Sequence, residues 1–437
     1  MFLNSKHTYA QNDKRLIRAW CSYDIANSAY NLVITTAIFP IFYTQATVNH
    51  FGSDTIQLFG KSIINTVAYN YTIALSYLFI VILSPILSGI ADFTGKRKMF
   101  MQIFTFIGAI SCSALYWFKG DNPGYALLFS SLAVIGFAGS LVFYNSFLPY
   151  IASPDKQDRV SALGFSYGYG GSLLLLIFCL FMIMQPQLFS ISDAALASRI
   201  SFLLVGCWWF IIAHFAFYYL KDTPSIHTTQ TSIFSSGFYE LKKTFSTVLN
   251  KSLYLKFLSA FLLYSIGVQT IIMVATQFGA KELNISSDKL IITIILLQII
   301  GIVGAFLFGK ISEQIGSKYS LIIMVLIWMS VCVGAYFIVS DVQYFILAGG
   351  VGMVLGGIQS QSRSAWSKLI DSNNSNPASY FSLYDITEKI AIVLGMATFA
   401  LSEQLSGNMR ISALTMGVFF FLALPLLFSI KGKIKAN

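Results

Sequence analysis

Apolar residues run along this chain in twelve blocks separated by shorter polar breaks. The blocks lie at 18–45, 67–91, 99–118, 124–150, 160–184, 200–220, 253–279, 288–309, 319–339, 343–364, 379–402 and 410–430. A helix that crosses the hydrocarbon of a bilayer needs about 20 predominantly apolar residues, and each block meets that length. The longest break, 221–252, falls between the sixth and seventh blocks and is polar, with the stretch TPSIHTTQTS. The pattern predicts an all-α integral membrane protein of twelve transmembrane helices in two pseudo-symmetric six-helix halves. In this reading 1–17 is a cytoplasmic tail, 18–220 the first bundle, 221–252 a cytoplasmic linker, 253–430 the second bundle and 431–437 a second cytoplasmic tail.

Composition agrees with the bilayer as solvent. Hydrophobic residues make up 56% and charged residues 11%, with mean hydropathy +0.70, far from a soluble globular chain. The polar residues before Arg18 lack the apolar stretch of a cleavable signal peptide, so the first span serves as its own targeting signal. A formal net charge of +10 would suit a nucleic-acid partner, but the basic residues sit between spans and read as topology information. With the N-terminus inside, only Lys61, Lys119, Arg199, Lys281, Lys289 and Arg410 face outward, and Lys256 and Lys389 lie within spans. All other Lys and Arg fall on the cytoplasmic side, which places both termini there. Short loops and the lack of appended domains favour a bacterial inner (plasma) membrane, and a monomer is expected. The five cysteines are dispersed in apolar stretches and the four histidines are scattered, so neither a disulfide framework nor a metal site is indicated. No nucleophile–base pair or cofactor motif appears, and an enzyme is not expected.

One loop pattern occurs twice. SGIADFTGKRK at 88–98 and GKISEQIGSK at 309–318 both join apolar blocks, and Asp92, Gly95 and Arg97 align with Glu313, Gly316 and Lys318 at an offset of 221 residues. Glycine permits a tight turn at the membrane face, the bases hold the loop inside, and the acid suits a latch against a helix end or arginine. The spacing near Gly89–Lys96 is not that of a phosphate-binding loop. SGIADFTGKRK resembles the signature loop of the major facilitator superfamily, with Ser88 and Phe93 departing from its usual glycine and arginine. That resemblance implies a transporter built from two internally repeated halves, with these six residues as conformational-switch positions.

Polar residues inside spans are costly and point to function. On the first span Asp24, Asn27, Ser28, Asn31 and Thr35 follow i, i+3, i+4, i+7 and i+11, one helical face. Such a face lines a cavity or a helix contact. Asn31 falls near the midplane and Asp24 in the cytoplasmic third. The run WCSYDIANSAY, the stretch LPYIASPDKQDRVSALGFSYGYGG at 148–171 and the stretch QSQSRSAWSKLIDSNNSNPASYFSLYDITEKIAIVLG at 359–395 resemble the autophagy-related vacuolar effluxer branch of the superfamily. For the fungal members of that branch, the resemblance implies amino-acid efflux.

The eleventh span holds Asp385, Glu388 and Lys389 within two turns, Asp385 and Lys389 being paired by i, i+4 spacing. Arg363 ends the tenth span. With Asp24 these form a candidate coupling and gating network, able to break and re-form as the halves rock, with the proton as candidate coupling ion. Candidate solute contacts are Asn27, Asn31, Asn145, Gln269 and Gln298. A polar cavity with few fixed charges suits a small zwitterionic or neutral solute such as an amino acid. Export of a siderophore, organic acid or drug by the same fold, and a non-transporting membrane receptor, stay open at this point.

Overall fold

The computed structural model describes residues 11–58, 60–222, 233–285, 287–370 and 377–430. Most of the N-terminal tail, the stretch TPSIHTTQTS at 223–232 and the tail at 431–437 lie outside the described residues. The transmembrane helices are α1 (Lys14–Phe51), α2 (Asn65–Thr94), α3 (Arg97–Ala114), α4 (Pro123–Ser146), α5 (Gln157–Met184) and α6 (Ala194–Tyr219). After a linker helix, α7 (Ile233–Asn250), come α8 (Ser252–Leu283), α9 (Ser287–Ile315), α10 (Ser317–Phe337), α11 (Asp341–Leu369), α12 (Pro377–Ser406) and α13 (Met409–Ser429). Eleven helices among the described residues are long and apolar enough to cross a membrane. The one predicted span not among these eleven is the eleventh, α12, a 30-residue helix whose Asp385, Glu388, Lys389 and Glu403 lower its hydropathy. The twelve-helix fold stands.

Three features depart from the simple pattern. The polar linker is not plain loop: α7 lies within it, because apolar residues at 3.6-residue spacing make a helix without any 20-residue apolar window. A small antiparallel hairpin follows α1, with β1 (Thr55–Leu58) paired to β2 (Lys61–Ile64) in the register Thr55↔Ile64 to Leu58↔Lys61. Within α1, Tyr30–Ile38 winds as a π-helix, a rare form that recurs at functional sites.

The chain forms two compact units. One contains Lys14–Asn145 and Tyr167–Gly237; the other contains Met1–Asp13, Ser146–Ser166 and Phe238–Asn437. In the first unit α1 and α3 pack on α6. Close approach there depends on small residues, as in other membrane bundles: a Cβ on Gly136 would meet the backbone of Gly108 and Phe104. In the second unit α9 packs on α11, and α8 packs on α12 and α13. Large apolar side chains such as Leu75, Ile82, Leu174 and Ile211 are more than 60% exposed, the surface a bilayer covers. Membrane helices gain little hydrophobic drive from packing on each other, so buried polar groups and small residues fix their contacts.

Candidate functional site

In the first unit the motif on α1 is sewn to α4. The Trp20 indole stacks on Tyr144 at 4.5 Å and donates Nε1–H to the Tyr144 carbonyl at 3.0 Å. The Tyr144 hydroxyl donates to Asp24 Oδ2 at 2.6 Å, and the Tyr23 hydroxyl shares a hydrogen bond with Thr105 on α3 at 2.7 Å. Gly168 on α5 makes room for this helix, since a Cβ there would lie 2.7 Å from Ser28 Oγ. Asp24 and Asn27 are buried, and Ser140 donates weakly to the Asn27 amide oxygen at 3.5 Å. The lower part of the predicted polar face is thus a helix contact, and Asn27 is not an open surface for solute.

The upper part is open. Asn31 lies in the π-helical segment and is exposed, while its carbonyl accepts the Thr36 hydroxyl at 2.9 Å. Thr35 Oγ1 is buried without a hydrogen-bond partner. Asn145 is half-buried at the end of α4.

In the second unit an ionisable cluster forms at mid-helix. Lys389 Nζ lies 3.0 Å from Asp385 Oδ1 and 3.5 Å from Glu388 Oε2, and Gln269 on α8 donates to Glu388 Oε1 at 2.8 Å. At about 1.5 Å per residue, Glu388 lies about 17 Å along α12 and Gln269 about 26 Å along α8, both near the middle of their helices. Asp385 Oδ2 is buried without a hydrogen-bond partner. Nearby, Tyr264 and Ser362 share a hydrogen bond at 2.7 Å, and Tyr384 stacks on Phe261 at 4.1 Å. Gln298 on α9 keeps a buried Oε1 without a partner.

Arg363 also bonds to the start of α5. Its Nε donates to Ser161 Oγ at 2.9 Å and its Nη2 to the Ser161 carbonyl at 2.8 Å, and the guanidinium lies 4.2 Å from the Phe165 ring centre. Ser161 Oγ in turn donates to the Ser360 carbonyl at 2.7 Å. These bonds dock the start of α5 onto α11.

The centre of that docking is Asp158, a residue sequence reasoning passed over. Its carboxylate is 2.5 Å from Lys368 Nζ and accepts the hydroxyls of Ser312 at 2.6 Å, Ser317 at 3.1 Å and Ser364. Gly309 leaves space beside it, where a Cβ would lie 3.0 Å from Ala162. Within SPDKQDR the acid reads as one of several solvated loop charges, and its partners lie 154 to 210 residues away. The usable signal was its place in the first turn of α5, where an anion is favoured.

The two copies of the repeated loop behave differently. In the first, Arg97 pairs with Asp92 at 2.8 Å with both side chains buried, and Gly95 ends α2 at φ +74°. Asp222 accepts the Lys98 N–H at 2.6 Å, and burial raises its carboxyl above the usual range. In the second, Glu313 is exposed and makes no ion pair among the described residues. Lys318 donates to the carbonyls of Phe428 and Ile430 at 3.0 and 2.7 Å, satisfying orphan groups at the end of α13. Gly316, at φ +89°, precedes α10. The second loop lends Gly309, Ser312 and Ser317 to Asp158 instead of an acid of its own.

A membrane bundle of this kind defines a solute transporter of the major facilitator superfamily. The fold is shared with the superfamily transporter FucP, solved in the outward conformation, at TM-score 0.71 and 14% identity over 95% of this chain and 99% of that one. The chain belongs to the vacuole effluxer Atg22-like family, whose model matches residues 12–435. It is 33% identical over 417 residues to the uncharacterized MFS-type transporter YxiO of Bacillus subtilis, covering 94% of this chain and 93% of that protein. It is also 24% identical over 495 residues to autophagy-related protein 22 of Saccharomyces cerevisiae, covering 96% and 91%. The protein is a multi-pass membrane transporter of this superfamily and not an enzyme.

Proposed function

We propose that this protein is a secondary active transporter that moves small polar solutes, amino acids foremost, by alternating access with protons as the coupling ion. The observation that carries the reading is the Gln269–Glu388–Lys389–Asp385 cluster at mid-helix depth, with Asp385 and Lys389 buried and Gln269 and Glu388 half-buried. Charged groups there are expensive in a bilayer and are kept for ion or substrate pathways. Glu388 is the candidate proton carrier. When it takes a proton its pairing with Lys389 weakens, and the balance of Lys389's pairing shifts toward Asp385 or a carboxylate of the solute. Asn31, Asn145 and Gln298 supply amide groups suited to a neutral or zwitterionic solute. The effluxer description of the family supports export as the direction. The surplus of Lys and Arg in the loops supports cytoplasmic termini in a bacterial inner membrane, and the protein acts as a monomer.

Asp158 with its hydroxyl cradle is the proposed gate. Ser146–Ser166 belongs to the first half by sequence but to the second compact unit by contact, and opening at this point means releasing Asp158 from Lys368 and its serines. Asp92, Gly95 and Arg97 act beside it as a turn held rigid by its own ion pair. Counterflow of a labelled amino-acid panel into proteoliposomes tests the substrate class. Exchange of at least one small amino acid supports it, whereas flux of organic acids or siderophores alone replaces it.

A further inference from the structure

The linker helix offers a surface that transport does not use. Helix α7 ends at Asn250, and after the single extended residue Lys251 (φ −101°, ψ 105°) the transmembrane helix α8 begins at Ser252. Connectivity therefore ties the end of α7 to the membrane surface. Around the helix, Thr244 and Val248 are buried on the protein. Phe245 and Leu249 form the adjoining strip, i and i+4, and are 50% and 48% exposed. Lys242 borders that strip one turn before Phe245, and it is exposed, as are Lys243 and Lys251.

An apolar strip edged by lysines, held at the level where a span enters the bilayer, is the arrangement of an interfacial helix. We infer that α7 lies in the headgroup layer where α8 starts, with Phe245 and Leu249 in the acyl boundary and Lys242, Lys243 and Lys251 binding anionic phospholipid headgroups. The charge balance argues for the anionic class: the stretch from α7 to the joint carries three lysines against one acid, Glu240. Lysine near an anionic surface favours it by about fivefold each. Lys251 also sits 5.4 Å from the Tyr254 ring, which orients its stem along the start of α8.

The test uses the full-length protein in nanodiscs of phosphatidylglycerol and phosphatidylcholine, with one lipid or the other brominated on its chains. Phe245→Trp and, separately, Leu249→Trp report contact as quenching beyond that of the parent, which carries the same six native tryptophans. The expected result is quenching by both lipids with a preference of about fivefold or more for phosphatidylglycerol. Lys242→Gln with Lys243→Gln and Lys251→Gln should abolish that preference and leave the phosphatidylcholine quenching in place. Equal quenching by the two lipids overturns the anionic site. A tryptophan quenched by aqueous iodide and not by lipid, or by neither, overturns the interfacial placement.

Discussion

Asp158→Asn is the sharpest perturbation of the proposed gate. It leaves Lys368, whose side chain is 5% exposed, beside a neutral amide. Removing one partner of a buried ion pair costs about 3–5 kcal/mol, because the other charge is left uncompensated. Lys368 keeps a hydrogen bond to Ser317 Oγ at 3.1 Å, and the asparagine amide oxygen still accepts from a serine. We therefore set the loss at about 2–3 kcal/mol. If the cradle exists in only one of the two access states, the equilibrium moves by about 30–150-fold. Ala162→Cys, buried beside Gly309, reports the opening through its rate of reaction with a water-soluble maleimide. The exposed native Cys207 is replaced by serine in this background. Asp158→Asn should raise the rate by more than tenfold with thermal stability and monodispersity retained. Asp158→Asn combined with Lys368→Met should fall back toward the parent, since no charge is stranded. A rate within about twofold of the parent for Asp158→Asn refutes the gate.

Three further outcomes are expected. Gly95→Leu forces a side chain into a φ of +74° and should cost about 1–2 kcal/mol, read as a lowered melting temperature, while Gly95→Asn should cost clearly less. Tyr144→Phe removes a donor to buried Asp24 and should destabilise the protein by about 1–3 kcal/mol, measured by thermal unfolding in detergent. Lys318→Met leaves the carbonyls of Phe428 and Ile430 without their donor and should raise hydrogen exchange at the end of α13, where unchanged protection would contradict the capping role.

The twelve spans were legible because lipid as solvent makes each one a long apolar run, and the structure extends most of them by a few residues at the polar ends. The i, i+4 pairing of Asp385 with Lys389 was legible for the same local reason. What the sequence hid is long-range or of another period. Asp158 finds its partners on α9, α10 and α11, which no local pattern connects. Gln269 meets Glu388 from a different helix, 119 residues away. The amphipathic α7 sits in a break chosen for its polarity, and the π-helical turn of α1 leaves no mark in an apolar run. The equivalence of Asp92 and Glu313 held in alignment but not in space, because one is buried in an ion pair and the other exposed.

The central claim is that Glu388 couples solute movement to protons. The direct measurement is uptake of a labelled amino acid into proteoliposomes under an inside-acid pH gradient, in which protons leaving the vesicle drive solute in by exchange, for the parent and for Glu388→Gln. The account predicts accumulation above equilibrium in the parent, collapsed by a protonophore. It predicts plain equilibration in Glu388→Gln, with counterflow preserved. Gradient-driven accumulation that survives Glu388→Gln, or a folded parent whose flux ignores the gradient, would contradict it.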